Sequence, residues 1–137
     1  DEERRGGRGA RGGGRAIDAL TVAELAAEAA SGAKPVYLAI LDLRGLSSFT
    51  DYFVIAGADS SRQVRALAER VEERLAQARV RMRHREGTGE ARWILLDYQD
   101  VVVHIFDERT RQFYDLERLW GDAPKRTLAG GSFAQIG

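Results

Sequence analysis

The sequence predicts an α/β fold in which helices flank a mixed five-stranded sheet. Five segments have the apolar content of strands, and two capping signals each precede a stretch with helical apolar periodicity. After a leading helix, the elements follow in the order strand, strand, helix, strand, strand, strand, helix, which is typical of a sheet covered by helices. A chain of 137 residues with 44% hydrophobic content suits one domain with a single core.

The first helix is predicted from "TVAE", in which Thr21 caps the helix amides and Glu24 reaches back to complete a capping box. After this helix, residues 36–43 and 51–58 are predicted as strands. The second of these strands is apolar almost throughout, as expected for a strand buried at the centre of a sheet.

The second helix begins at another capping signal, Ser60 with Gln63, and its apolar residues recur on one helical face as far as Ala78. The remaining predicted elements are an edge strand over residues 80–86, two hairpin strands over 92–98 and 100–106, and a closing helix over 107–120.

The two ends of the chain differ from this domain, which is predicted to span residues 16–124. Residues 1–15 are rich in Gly and Arg, have almost no apolar side chain to bury, and are predicted to be disordered. Such a tail is either solvated and inactive or a weak RNA-binding element. Residues 125–137 lack periodicity and are predicted to form a C-terminal tail.

Composition narrows the class of protein. No apolar run reaches the roughly 18 residues of a spanning helix, and no signal peptide is recognised. The absence of cysteine excludes disulfides and thiolate chemistry, and it is consistent with a cytoplasmic location. The 21 basic and 21 acidic residues balance, so the whole chain has no net attraction for nucleic acid.

The hairpin strands contain the strongest candidates for chemistry, Asp97, Asp100 and His104. The two carboxylates lie at opposite ends of a predicted turn and could be turn residues, a protein-recognition site or a pair of metal ligands. His104 shares a strand face with Val102 and Phe106, without a nucleophile elbow or a partner at metal-ligand spacing. The aromatic residues Trp93, Tyr98, Tyr114 and Trp120 are either core residues or binding hot spots.

Several motifs, in order, resemble the ribosomal silencing factor family, RsfS, also called the Iojap family. They are "DYFVI", "SSRQV", "WILLDYQDVVVHIF" and "RQFYDLERLW", and the resemblance extends from about Leu20 to Pro124. It implies an α/β sandwich similar to nucleotidyltransferases that is not an enzyme and needs no cofactor or metal. It also implies binding to the large ribosomal subunit through ribosomal protein uL-fourteen. Blocked joining of the small subunit and repressed translation under nutrient limitation would follow, and members are often homodimers.

The resemblance also assigns a partner-binding surface. A Mg-dependent nucleotidyltransferase-like enzyme and an RNA-binding module remain the alternatives. The family usually has glycine where this chain has Gln99, so a different or strained turn is expected there. The predicted partner-binding residues are Trp93, Asp97, Tyr98, Asp100, His104, Tyr114, Leu116, Glu117 and Trp120.

Overall fold

The computed structural model describes residues 17–87, 89–129 and 132–136. The predicted Gly/Arg tail, residues 1–15, lies outside the described residues. In chain order the elements are α1 (Ala19–Ser31), β1 (Tyr37–Asp42), β2 (Tyr52–Ala58), α2 (Ser61–Gln77), β3 (His84–Glu86), β4 (Trp93–Asp97), β5 (Val101–Asp107), α3 (Glu108–Tyr114), α4 (Leu116–Leu119), β6 (Lys125–Ala129) and β7 (Ser132–Ile136).

The strands form one mixed sheet in the order β3-β4-β5-β2-β1-β6-β7. The central strands β2 and β5 pair in parallel, and all other neighbours are antiparallel. Every residue of β2 is buried, as its continuous apolar sequence predicts. The predicted α/β fold with a mixed sheet and flanking helices is confirmed.

The described strands number seven instead of the predicted five. The two additional strands, β6 and β7, form a hairpin where the sequence analysis expects a tail. The segment that forms β6 begins with polar residues, so it shows no strand periodicity. Its pairing comes from antiparallel contact with β1, in which Ala39 faces Thr127 and Leu41 faces Lys125. The sheet therefore continues past residue 124.

Helix α1 begins earlier than predicted. Asp18 is the N-cap, and its Oδ1 atom accepts a hydrogen bond from the backbone N–H of Thr21 at 2.8 Å. The predicted capping box is therefore wrong, because Asp18 is available and aspartate is a stronger cap than threonine. Glu24 pairs instead with Arg126 of β6, at 3.1 Å between Oε2 and Nη2.

Helix α2 begins as predicted. The Ser60 hydroxyl accepts from the N–H of Gln63 at 3.1 Å, and Oε1 of Gln63 accepts from the N–H of Asp59 at 2.8 Å. Together α1 and α2 cover one face of the sheet and form the larger core. Burial of each large apolar side chain there contributes about 1.5–3 kcal/mol. The apolar residues of α2 that are fully buried are Val64, Leu67, Ala68, Val71 and Leu75.

The predicted closing helix over residues 107–120 is divided. Asp115 adopts a left-handed conformation with φ +51°, which ends α3 and starts the short helix α4. Both helices lie over the sheet face opposite α1 and α2. In the described part of the chain, no helix has the length and apolar character needed to cross a membrane.

Candidate functional site

The sheet face opposite α1 and α2 has a continuous group of aromatic rings. Strand alternation places every second residue of β4 and β5 on this face, and the register sets Trp93 opposite Phe106 and Leu95 opposite His104. Rings from β2, α3 and the end of α4 join them. We call this group the aromatic face; its members are Phe53, Trp93, His104, Phe106, Tyr114 and Trp120.

Ring contacts join the aromatic face across the sheet. Trp93 packs between Phe106 and Tyr114, with ring centroids 4.7 and 4.8 Å apart. Phe53 makes an edge contact with Trp120 at 6.2 Å. Aromatic pairs at these separations contribute about 0.5–1.5 kcal/mol each beyond their buried area. The contacts therefore fix α3 and the residue that follows α4 against the sheet.

His104 lies beneath this layer and is only 5% exposed. Its ring meets Phe53 edge-on at 4.4 Å between centroids, and its Nδ1 atom accepts a hydrogen bond from Trp93 Nε1 at 3.2 Å. Burial lowers the pKa of His104 to about 4. The imidazole is therefore neutral with its proton on Nε2, and Nε2 has no hydrogen-bond partner among the described residues. His104 thus orients the Trp93 ring from below instead of reaching the surface.

A partly buried ionic cluster holds α3 and α4 at the same face. Arg111 donates to both carboxylate oxygens of Glu108, at 2.9 and 2.5 Å, and to Glu117 Oε2 at 3.1 Å. Its guanidinium stacks over the Tyr37 ring, 3.7 Å from the centroid. The absence of a side chain at Gly57 makes room for this cluster, because a Cβ atom there would lie 2.2 Å from Glu108 Oε1. Charge-assisted pairs of this kind are the stronger hydrogen bonds of proteins.

Glu117, which was predicted to bind a partner, is therefore engaged within the chain. Its Oε1 atom and the Tyr37 hydroxyl are both buried, and the hydroxyl faces the Glu117 carboxylate. Burial, together with the nearby Glu117 carboxylate, raises the pKa of Tyr37 well above its ordinary value. This end of α4 serves to fix the helix pair in place.

The outer side of α3 and α4 exposes large apolar residues that the sequence analysis did not select. Phe113 is 80% exposed and Leu119 is 74% exposed, while Tyr114 is half exposed between them. Phe113 and Tyr114 are in ring contact at 5.1 Å, and exposed large apolar side chains of this kind are candidates for an interaction site. The signal in the sequence is that "RQFYDLERLW" has more apolar residues than one helical face can bury. Because the sequence predicts one continuous helix and the chain breaks it at Asp115, the sequence does not indicate which of these residues remain exposed.

The hairpin turn uses its two carboxylates differently. Asp97 accepts from the backbone N–H of Gln99 at 2.7 Å and from Arg83 Nη2 at 3.0 Å, so it is engaged within the chain. The Asp100 carboxylate makes no hydrogen bond or ion pair in the described part of the chain, although its backbone oxygen accepts from Asp51 and Tyr52. Gln99 has φ +80°, so the turn is strained at the position where strain was expected.

The predicted site residues do not form one surface. Trp93, His104, Tyr114, Leu116 and Trp120 lie together on or beneath the aromatic face. Tyr98 is 8% exposed and lies in the core under α1 and α2, on the opposite face of the sheet. Burial raises its pKa to about 12.

The acidic groups of the hairpin and of the edge strand do not converge on a shared cation site. Over the described residues, no group of three or more His, Asp or Glu side chains is arranged to hold a metal ion. Asp97 pairs with Arg83, and His84 pairs with Glu86 at 2.7 Å on the outer edge of the sheet.

Comparison with known families and proteins gives consistent matches. Residues 16–135 match the family model described as "Ribosomal silencing factor during starvation". The chain is 38% identical over 111 residues to the ribosomal silencing factor RsfS of Bacillus subtilis, covering 81% of this chain and 94% of that protein. It is 34% identical over 106 residues to the chloroplastic protein Iojap of Zea mays, covering 77% of this chain and 46% of that one.

The fold is also similar to solved structures. A crystal structure of a protein from Chromobacterium violaceum superposes with a TM-score of 0.74 at 37% identity, covering 77% of this chain and 88% of that one. A structure from Bacillus halodurans gives a TM-score of 0.67 at 34% identity, covering 74% and 94%.

Proposed function

The chain belongs to the ribosomal silencing factor family, and we propose that it binds the large ribosomal subunit through ribosomal protein uL-fourteen. Bound there, it obstructs joining of the small subunit and so represses translation under nutrient limitation. The family names describe a regulatory factor instead of an enzyme. Binding to ribosomes would place the chain in the cytoplasm.

One observation carries this proposal: exposed apolar side chains lie on a rigid support. Phe113, Tyr114 and Leu119 project from helices that are held by the Arg111 ionic cluster and by the contact of Tyr114 with Trp93. Protein-binding hot spots have this composition, since preorganised aromatic residues lose little conformational freedom on binding. A surface built for docking explains why such large residues remain in contact with water.

The negative charge of Asp100 in the hairpin turn supports binding to a basic partner. Ribosomal proteins are generally basic, and the Asp100 carboxylate makes no ion pair within the described residues. A lysine or arginine of the partner would complete it with a charge-assisted hydrogen bond. We therefore assign Asp100, instead of Asp97 or Glu117, as the acidic contact of the site.

Sedimentation tests the proposal directly. The protein is mixed separately with purified large and small subunits and pelleted, and co-sedimentation is expected with the large subunit alone. Light scattering of mixed subunits should then show less association when the protein is added. A protein that stays in the supernatant with the large subunit would refute the proposal.

The proposed role extends to the free state. We propose that the unbound chain forms a homodimer, which would cover Phe113 and Leu119 in the absence of the ribosome. Light scattering at high micromolar concentration should give twice the chain mass, and a monomer there would contradict this part of the proposal.

A further inference from the structure

Four arginines project from the outer edge of the sheet, away from the aromatic face. They are Arg79, Arg81, Arg83 and Arg85, which alternate along the exposed segment that leads from α2 into β3, and we call them the arginine edge. All four are exposed. The sequence predicts an edge strand over residues 80–86, which contains three of these arginines, and the proposed function gives none of the four a role.

The charge of the molecule is divided unevenly. Residues 17–136 contain 16 Lys and Arg against 18 Asp and Glu. Residues 79–86 contain the four arginines against Glu86 alone, a charge of +3, so the other residues of 17–136 carry −5. A local positive field on an otherwise acidic domain attracts a polyanion to this edge.

Two of the four arginines lack an internal partner. Arg83 pairs with Asp97 at 3.0 Å and Arg85 with Glu72 at 2.9 Å. For the side chains of Arg79 and Arg81, the described part of the chain provides neither an ion pair nor a hydrogen bond. Exposed pairs are worth only about 0–1 kcal/mol, so Arg83 and Arg85 can also turn to a stronger anion.

The surroundings favour RNA over an acidic protein. A protein interface needs a buried apolar centre, and in this segment Met82 is the large apolar side chain that is exposed, at 37%. Guanidinium groups bind phosphate bidentately, and a series of them matches a repeated phosphate backbone. The arginine edge thus provides charge and hydrogen-bond donors without an apolar anchor.

The arginine edge also lies close to the proposed docking surface. Arg83 pairs with Asp97 and lies beside the end of β4, so the arginine edge adjoins the hairpin turn that carries Asp100, the proposed acidic contact. A ribosomal protein bound at Asp100 and the exposed residues of α3 and α4 would bring neighbouring ribosomal RNA within reach of the long arginine side chains.

We propose that the arginine edge binds the phosphate backbone of ribosomal RNA while Asp100 and the exposed residues of α3 and α4 are docked on a ribosomal protein. This inference rests on the proposed function, because the docked surface brings the edge to the RNA. Phosphate contacts of this kind position the bound chain without reading sequence.

The test compares salt dependence of large-subunit binding between wild type and Arg79→Gln/Arg81→Gln. Each phosphate contact contributes about 0.7–0.9 to the slope of log affinity against log salt. Between 50 and 200 mM salt, wild type should therefore lose about tenfold more affinity than the double variant. Lys34→Gln/Arg62→Gln is the matched control, since it removes two exposed charges near the opposite end of α2 and should follow wild type.

The outcomes separate the two proposals. If wild type does not bind the large subunit, the proposed function and this inference both fail. If it binds but the double variant shows the same salt slope, only the RNA contact fails. Binding to isolated ribosomal protein uL-fourteen should be equal in wild type and the double variant. Weaker binding of the double variant to the isolated protein would show that the arginine edge contacts protein instead of RNA, and would overturn the inference. Unchanged melting of the variant verifies that it is folded.

Discussion

The hydrogen bond between Trp93 and His104 predicts a strong energetic coupling between these residues. Trp93→Phe keeps a ring on Phe106 and Tyr114 but removes the N–H donor, so a buried imidazole loses its hydrogen bond. An unsatisfied buried polar group costs about 1–3 kcal/mol. Allowing for the smaller ring, we expect Trp93→Phe to lower the free energy of unfolding by about 2–3 kcal/mol.

The partner substitution should be milder. His104→Leu removes a buried imidazole whose Nε2 already lacks a partner within the described residues, and it leaves the half-buried Trp93 N–H able to reach water. We expect a cost of about 1 kcal/mol or less. The double variant has neither polar group, so it should be about 1–2 kcal/mol more stable than the sum of the single changes implies.

Urea unfolding of the four proteins measures this cycle. Equal m-values across the set would show that the variants unfold from comparable states. Coupling below about 0.5 kcal/mol, the range of independent sites, would refute the role given to His104 as the residue that orients Trp93.

Two further predictions concern the hairpin turn, and a third concerns the pH dependence of the free energy of unfolding. Asp100→Ala should weaken large-subunit binding by about 2–5 kcal/mol without changing the unfolding free energy, whereas Asp97→Ala should also cost about 1 kcal/mol of stability. Pelleting and urea titration together distinguish the two. Gln99→Gly should raise the unfolding free energy by about 0.5–1 kcal/mol because it relieves φ +80°, and an unchanged urea midpoint would contradict this. Because burial lowers the pKa of His104 to about 4, the unfolded chain binds a proton at this residue between about pH 6.5 and pH 4, whereas the folded chain does not. Stability should therefore fall by about 3 kcal/mol as pH falls from about 6.5 to about 4, and His104→Leu should lack this loss.

The central strands could be predicted because their local sequence is sufficient. Strands β2 and β5 are continuous apolar runs, and alternation alone placed His104 with Val102 and Phe106 on one face. The end of α2 and the caps at Ser60 follow from local rules in the same way. The grouping of Trp93, Tyr114 and Trp120 came from the family resemblance, and the ring contacts add its geometry.

Other features depend on partners far away in sequence. The strand β6 forms against β1, and nothing in "KRTLA" itself indicates that pairing. The break at Asp115 uses a left-handed conformation that aspartate adopts less often than glycine, so the helical pattern conceals it. Tyr98 follows Asp97 directly, and because successive side chains of a strand alternate between faces, it lies in the core under α1 and α2.

The parallel pairing of β2 with β5 has a consequence for the order in which the molecule can assemble. Residues 59–100 lie between these two strands, so the centre of the sheet joins segments that are distant along the chain. Such non-local pairing carries a large loop-closure entropy and slows folding. The aromatic face collects rings from Phe53 to Trp120, so a nascent chain completes it only after residue 120 has been synthesised. A nascent chain that stops short of Trp120 therefore lacks the ring that meets Phe53, and its aromatic face is incomplete.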